Sequence, residues 1–331
     1  MKVSMMHGAG GEVMGELLAT LTKFRNNNAG GIGLESLDDG AVIPFCGKNL
    51  VFTTDSHVVR PIFFPGGDIG RIAVSGTVND LAMMGAQPIA LSCGMIIEEG
   101  FEVADLARIV ASMDEALGEA GASMVTGDTK VMERGALDGI AINTAGIGIA
   151  DRVIRDNGLV PGDVIIVSGT LGDHGIAIMA HREGFDLGEQ IHSDVAPVNG
   201  LMKNAISAGI IHAAKDPTRG GFASAINEMA RKSGVSVRIR EMDLPINKSV
   251  RSAAGMLGID PLEVANEGKV VMGVPASDAD AVLAAVRTHR YGKDAAIVGT
   301  VTAGSQVIME TAIGGERFIE PPMGDPVPRV C

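Results

Sequence analysis

The chain has no tryptophan, one tyrosine (Tyr291) and only 3% aromatic residues among its 331. Aromatics therefore do not build the interior. Val, Ile, Leu, Ala and Met must fill it, and an apolar fraction of 46% is enough for a substantial core of two ordinary domains. Cysteine is scarce as well. Three cysteines with no C-x-x-C argue against a disulfide framework or a zinc site, and they read as a reducing, cytoplasmic compartment. Basic residues are outnumbered 27 to 40, a net charge of −13. Such a surface repels nucleic acid and anionic lipid, but it leaves room for a local phosphate site that uses a divalent cation. The opening "MKVSMMHGAGGE" lacks the apolar centre of a signal peptide, and no apolar run reaches the ~18 residues of a membrane span.

Glycine, by contrast, is abundant: 45 residues without a Gly-X-Y period, concentrated in turns. Between the turns the pattern alternates. Strands are expected at 50–55, 88–97, 122–132 and 138–150, and helices at 68–84 and 102–120. The second helix carries an apolar stripe of Val103, Leu106, Ala107, Val110, Met113 and Leu117. A turn-rich connection, "NGLVPGD" (157–163), suggests a boundary. Beyond it, strands are expected at 164–169, 269–275 and 295–302, with helices after "SGTLGDHG" and at 197–208, 220–233 and 277–289. Hairpin-like strands mixed with helices predict an α+β or mixed α/β fold rather than a parallel doubly wound sheet. From about Glu320 no periodicity remains, which predicts an extended or mobile tail.

Chemistry is suggested by acids at strand ends and loops: Asp38 and Asp39 in "LDDGAV", Asp55 in "TTDSH", Asp80 in "VNDLAMMG", Asp128 in "GDTK" and Asp216 in "KDPTRGG". Any one alone is a cap or turn residue. Brought together, the carboxylates would repel and titrate upward unless a cation held them. Mg²⁺ takes a few carboxylates plus waters and phosphate oxygens, so the set predicts a Mg–nucleotide site. No P-loop is present, and "HGAGG" (7–11) or "SGTLGDHG" (168–175) would have to offer backbone N–H groups to phosphate. Lys130 shares a strand face with Asp128. Glu267 precedes a strand in "ANEGKVVMG". Cys46 and Cys93 read as small core residues, and the seven histidines show no ligand spacing.

The sequence closes on "PPMGDPVPRVC". Cys331 is either an idle thiol or a nucleophile on a Pro-rich stem that reaches ~30 Å.

Together, "LDDGAV", "TTDSH", "NDLAMMGAQP", "GDTKV", "SGTLGDHG", "DPTRGG", "ANEGK" and the closing "PRVC" resemble the HypE family of hydrogenase maturation proteins, in the PurM-like superfamily of aminoimidazole ribonucleotide synthetase. The resemblance runs from about His7 to Cys331. It implies a two-domain fold: residues 1–155 binding ATP and dimerising through a β-barrel flanked by helices, 156–319 forming a C-terminal α/β domain, and 320–331 a mobile tail. It implies ATP and Mg²⁺, with Asp55, Asp80, Asn79 and Lys130 binding ATP. Asp38, Asp39, Asp55, Asp80, Asp128 and Asp216 would hold metal. Cys331, Glu267 and Lys130 would be catalytic. The implied reaction is ATP-dependent dehydration of a carbamoyl group on Cys331 to a thiocyanate, which supplies cyanide to a [NiFe]-hydrogenase iron site. The implied partners are a second copy, the carbamoyltransferase HypF as donor and HypC–HypD as acceptor.

Overall fold

In the run "NLVFTTDSH" the alternate residues Val51, Thr53, Asp55 and His57 share one face, and Phe52 and Thr54 the other. That alternation is borne out in the computed structural model, which describes residues 3, 11–184, 191–322, 324, 327 and 329–331. The elements in chain order begin with α1 (Gly11–Leu21), β1 (Ala41–Phe45), β2 (Lys48–His57), β3 (Phe63–Phe64), β4 (Gly67–Asp68), α2 (Ile69–Met83) and β5 (Gln87–Glu98). Then come α3 (Val103–Ala120), β6 (Ser123–Met132), β7 (Ile140–Ala150), β8 (Asp163–Val167), α4 (Asp173–Arg182), α5 (Asn199–Ala208) and β9 (Ala213–Lys215). The last are α6 (Gly221–Ser233), β10 (Ser236–Arg240), α7 (Lys248–Leu257), β11 (Val271–Pro275), α8 (Ala279–Arg287), β12 (Ala296–Thr302), β13 (Val307–Glu310) and β14 (Glu316–Phe318).

The strands form two mixed sheets, as the alternation of hairpins and helices predicts. The first has the order β1-β2-β7-β5-β6, and the second β14-β13-β10-β12-β8-β11-β9. In the first sheet only β5 and β6 run parallel, which leaves β6 at an edge. Helix α2 lies across this sheet almost wholly buried; its first turn is capped by Asp68, whose carboxylate accepts from Arg71 N–H. Helix α3 forms over the expected span, but its stripe is rotated. Val103 and Val110 are exposed, while Ile109, Met113, Ala116, Leu117 and Ala120 are buried. The packing partner selects a face shifted by one residue from the one chosen by the strongest apolar side chains.

One apolar cluster runs from the first sheet and α2 through Ile176 and Ile178 of α4 to Val250 and Ala253 of α7. Val327 and Val330 of the tail join it, both buried. Two valines three positions apart thus anchor a segment that carries no periodic pattern. Burying one valine contributes roughly 1.5–3 kcal/mol. Among the described residues no helix is long and apolar enough to cross a membrane.

Candidate active site

Strand β2 and helix α2 carry the acids inward. Asp55 faces α2 at Gly76, where an added Cβ would stand 3.0 Å from Asp55 Oδ2 and 3.0 Å from His57 Cε1. Glycine is needed for the strand to lie so close to the helix. One turn along, Asp80 accepts a 2.8 Å hydrogen bond from Thr53 Oγ1, which also reaches the Asp39 carbonyl at 2.9 Å. From the second sheet β9 delivers Lys215 and Asp216. The pair Gly220–Gly221, both at positive φ, then turns the chain into α6; a Cβ at Gly221 would meet the Val264 carbonyl at 2.5 Å. Asp39, Asp55, Asp80, Asp216, Arg219, Glu267 and Cys331 thus converge on one cavity of about 140 Å³.

The electrostatics are those of crowded acids with few cations. Burial raises Asp80 well above the carboxylate range, and the charges of Asp216, Asp55 and Asp39 add to it. Burial and the charge of Asp39 push Asp216 up to about 7. Glu267 is 2% exposed, and its Oε1 has no hydrogen-bond partner. Burial, then Asp55, Asp216 and Asp194, hold its carboxyl well above the ordinary range, against the pull of Arg219. Two cations answer. Lys215 sits 2.5 Å from Asp39; burial opposes its charge, but Asp39, Glu228 and Asp156 outweigh that and raise it. Arg219 is likewise raised, the charges at Cys331 and Asp55 overcoming the desolvation at the cavity wall. His57 is buried beside Asp55, its Nε2 3.5 Å from Oδ2, and burial keeps it neutral by lowering its pKa.

The other expected site residues do not line this cavity. Asp38 does not face the cavity; Arg155 takes its Oδ2 at 2.7 Å. The amide of Asn79 is spent on protein. It donates to the Ala196 and Glu267 carbonyls at 3.1 and 3.2 Å and accepts from Val198 N–H at 2.8 Å. Asn79 thereby braces the Glu267 segment. Asp128 and Lys130 pair with each other at 2.9 Å on edge strand β6, 72% and 69% exposed and away from the cavity. In the "SGTLGDHG" loop four N–H groups are already taken. Ser168, Leu171, Gly172 and Gly175 N–H groups already donate to Val270, Pro245, Asn266 and Ala265. Of "HGAGG", residues 7–10 lie outside the described residues.

Sequence reasoning also missed the basic partners. Lys215 and Arg219 flank Asp216 within "KDPTRGG", so a scan for charge alternation beside the acid would have found them. His174 was passed over because histidine spacing was read only for metal. Its Nε2 lies 2.8 Å from the Val330 carbonyl, and Nδ1 lies 2.7 Å from Ser193 Oγ.

Asp55, Asp80 and Asp216 suit a divalent cation. With Glu267 they are the cavity acids without a lysine or arginine ion pair among the described residues, and burial and neighbouring charge favour neutralising Asp80 and Asp216. Among the described residues no three side chains already stand in ligating array. A larger cavity, about 850 Å³, opens elsewhere between α3 and the 290–294 turn; Gly169 and Thr170 of the "SGTLGDHG" loop line it, but none of the expected acids, Lys130 or Cys331 does. The acids, Glu267 and Cys331 gather instead at the smaller one.

Two family models match: the N-terminal domain of AIR synthase related proteins over residues 37–150, and the C-terminal domain over 160–311. A carbamoyl dehydratase HypE from Azotobacter vinelandii is 46% identical, covering 99% of this chain and 97% of its own. This chain belongs to the HypE carbamoyl dehydratase family. A hydrogenase expression/formation protein of Methanocaldococcus jannaschii is 53% identical over the whole of both chains. Two crystal structures share the fold. HypE from a HypE–HypF complex superposes with TM-score 0.87 at 44% identity, covering 94% of this chain and all of the other. HypE in complex with ATP gives 0.84 at 40% identity, covering both chains fully. HypE thus supplies the frame in which Cys331, Glu267 and Arg219 meet.

Proposed function

We propose that this chain dehydrates a carbamoyl group carried on Cys331 to a protein thiocyanate, using ATP. The observation that supports this most directly is that the closing cysteine is itself part of the wall of the cavity holding Glu267, Arg219 and the acids. A thiol linked to C(=O)NH₂ places its oxygen and nitrogen in that cavity. The amide oxygen attacks the γ-phosphoryl of ATP and ADP departs, since an amide oxygen must be phosphorylated before it can leave. Loss of the two N–H protons and of phosphate then yields S–C≡N. Phosphoryl transfer needs positioning and neutralised charge, and Arg219 stands where the negative charge gathers. A volume of about 140 Å³ admits the reacting end of a nucleotide, not the whole.

Glu267 is the proton acceptor. It holds its own proton while the neighbouring carboxylates are charged, and becomes a base once they are neutralised. Asp55, Asp80 and Asp216 would hold Mg²⁺, with Asp39 behind them on Lys215; the ion would supply charge neutralisation for the phosphates.

The first sheet leaves Phe52, Ile89, Ile96, Val125 and Val131 exposed, which supports homodimerisation through this sheet. Such a dimer provides a route for Lys130 and Asp128 of a second copy to reach the site, in keeping with ATP binding and catalysis by Lys130. In this reading HypF is the carbamoyl donor, HypC–HypD the cyanide acceptor and the setting cytoplasmic; a HypE–HypF complex among the similar structures supports the first of these.

Mass spectrometry of carbamoylated Cys331 tests the reading. The adduct is expected to lose the mass of one water only when ATP is present. An adduct that ATP leaves unchanged overturns it.

A further inference from the structure

The tail is held through its backbone. Val58 N–H donates to the Cys331 carbonyl at 3.2 Å, and Arg60 N–H to the Arg329 carbonyl at 3.1 Å. On the other side α4 presents two side chains. His174 reaches the Val330 carbonyl at 2.8 Å, and Arg182 donates to the Arg329 carbonyl. Arg182 Nε also donates to the Arg60 carbonyl at 2.5 Å, tying the same helix to the strip that the tail lies against. Thus the main-chain oxygens of Arg329, Val330 and Cys331 all accept hydrogen bonds, from the segment after β2 and from α4.

His174 is built for this task. Its ring is buried, packed edge-on against Phe64 with centroids 5.5 Å apart. Ser193 Oγ at 2.7 Å from Nδ1 can donate there, which leaves the Nε2 proton for Val330. Arg329 sits at φ 59° and turns the last two residues inward, while its guanidinium pairs with Asp138 at 2.7 Å.

We propose that His174 and Arg182 are positioning residues that recognise the final peptide units of the tail and hold Cys331 against Glu267 and Arg219. The recognition is of main-chain carbonyls, so the substrate class at this subsite is an extended peptide end and not a particular side chain. The donor stage and the dehydration stage then differ in one respect: whether these hydrogen bonds are made. This inference rests on the proposed dehydratase reading only for its consequence, not for its first test.

That test needs no activity. Alkylation of Cys331 by iodoacetamide is timed on the ATP-free protein, peptide by peptide, with exposed Cys46 and buried Cys93 as internal references. Loss of one buried hydrogen bond of about 1.4 kcal/mol corresponds to a tenfold change. His174→Ala and Arg182→Ala are expected to speed Cys331 alkylation about tenfold on that basis, with Cys46 and Cys93 unmoved. His174→Gln keeps an N–H donor near Nε2 and should stay within about twofold of the parent. An unchanged Cys331 rate in His174→Ala, or a glutamine variant no better than alanine, overturns the proposal. If His174→Ala also exposes Cys93, Ser193→Ala decides: it frees the ring's orientation without removing it, and no rise at Cys331 refutes the assignment. On carbamoylated protein the same variants should slow water loss without changing the ATP concentration that gives half-maximal rate. Should the alkylation result hold while the parent shows no water loss, the dehydratase reading fails alone.

Discussion

Asp55 on β2 and Asp128 on β6 occupy one sheet, each lies in a Thr-rich strand, and each has a polar neighbour two residues away. Asp55 lies under α2 beside Asp80 and buried His57. Asp128 stands at an open edge and is neutralised by Lys130. Burial is what separates them. In the covered region Asp80 and Asp216 beside Asp55 repel and hold protons, so the group gains from a cation or a phosphate-bound ion. At the edge, water and one lysine suffice, and the carboxyl stays below its ordinary pKa through that lysine's hydrogen bond. An acid's function is set by what is packed over its strand.

The largest effect expected is at the cavity wall. Cys331→Ser should abolish thiocyanate formation, read by mass spectrometry, with the fold intact by circular dichroism; retained product would remove the covered region from the chemistry. Next, Glu267→Gln should slow conversion of carbamoylated protein by ~10²–10⁴. The parent rate should rise with pH, because the raised carboxyl must lose its proton to act, and that rise should vanish in the variant. A parent profile flat in pH would break the contrast between the two regions.

Stability gives a smaller signal of definite sign. Asp216 is raised to about 7 in the fold, so the stability it contributes is complete at acid pH and is lost as pH rises through about 7. With chelator present, the unfolding temperature of the parent should fall between pH 5 and 8, and Asp216→Asn should flatten that fall. A steeper fall in the variant would contradict the assigned burial. The smallest effect is at the edge. Lys130→Ala should leave the unfolding temperature unchanged, because its pair with Asp128 is exposed. If the sheet dimerises, the same variant should still lower turnover, which separates a structural edge from a site completed by a second copy.

Period-two and period-3.6 patterns made the strands and helices of both halves readable, including Asp68 as the start of α2 and the glycine after α3 as its stop. Strands β1, β3, β4, β9, β10, β13 and β14 and helices α1 and α7 escaped. A three-residue strand carries no period, and α7, "KSVRSAAGML", shows small residues where a stripe is sought. Four of the six metal-set acids meet at the cavity, because strand ends do converge. Asp38 and Asp128 do not, since Arg155 and the open edge claim them, and neither can be seen along one chain. The docking of the tail was hidden for a similar reason. Val327 and Val330 look like lone valines among prolines until α4 and α7 are placed around them.

The closing cysteine forms part of the very cavity in which it would react. Substrate and catalyst are then one molecule, and the kinetic order follows. Dehydration should be first order in carbamoylated protein at every dilution that keeps the proposed dimer, with no Michaelis constant for the carrier and saturation in ATP alone. A tethered group meets its partner at an effective concentration of millimolar or above, so dilution in the cell leaves the step untouched. Turnover is also counted differently: each chain handles one group per visit from its donor. The pace of cyanide supply is therefore set by how often the tail is reloaded and by how many chains exist.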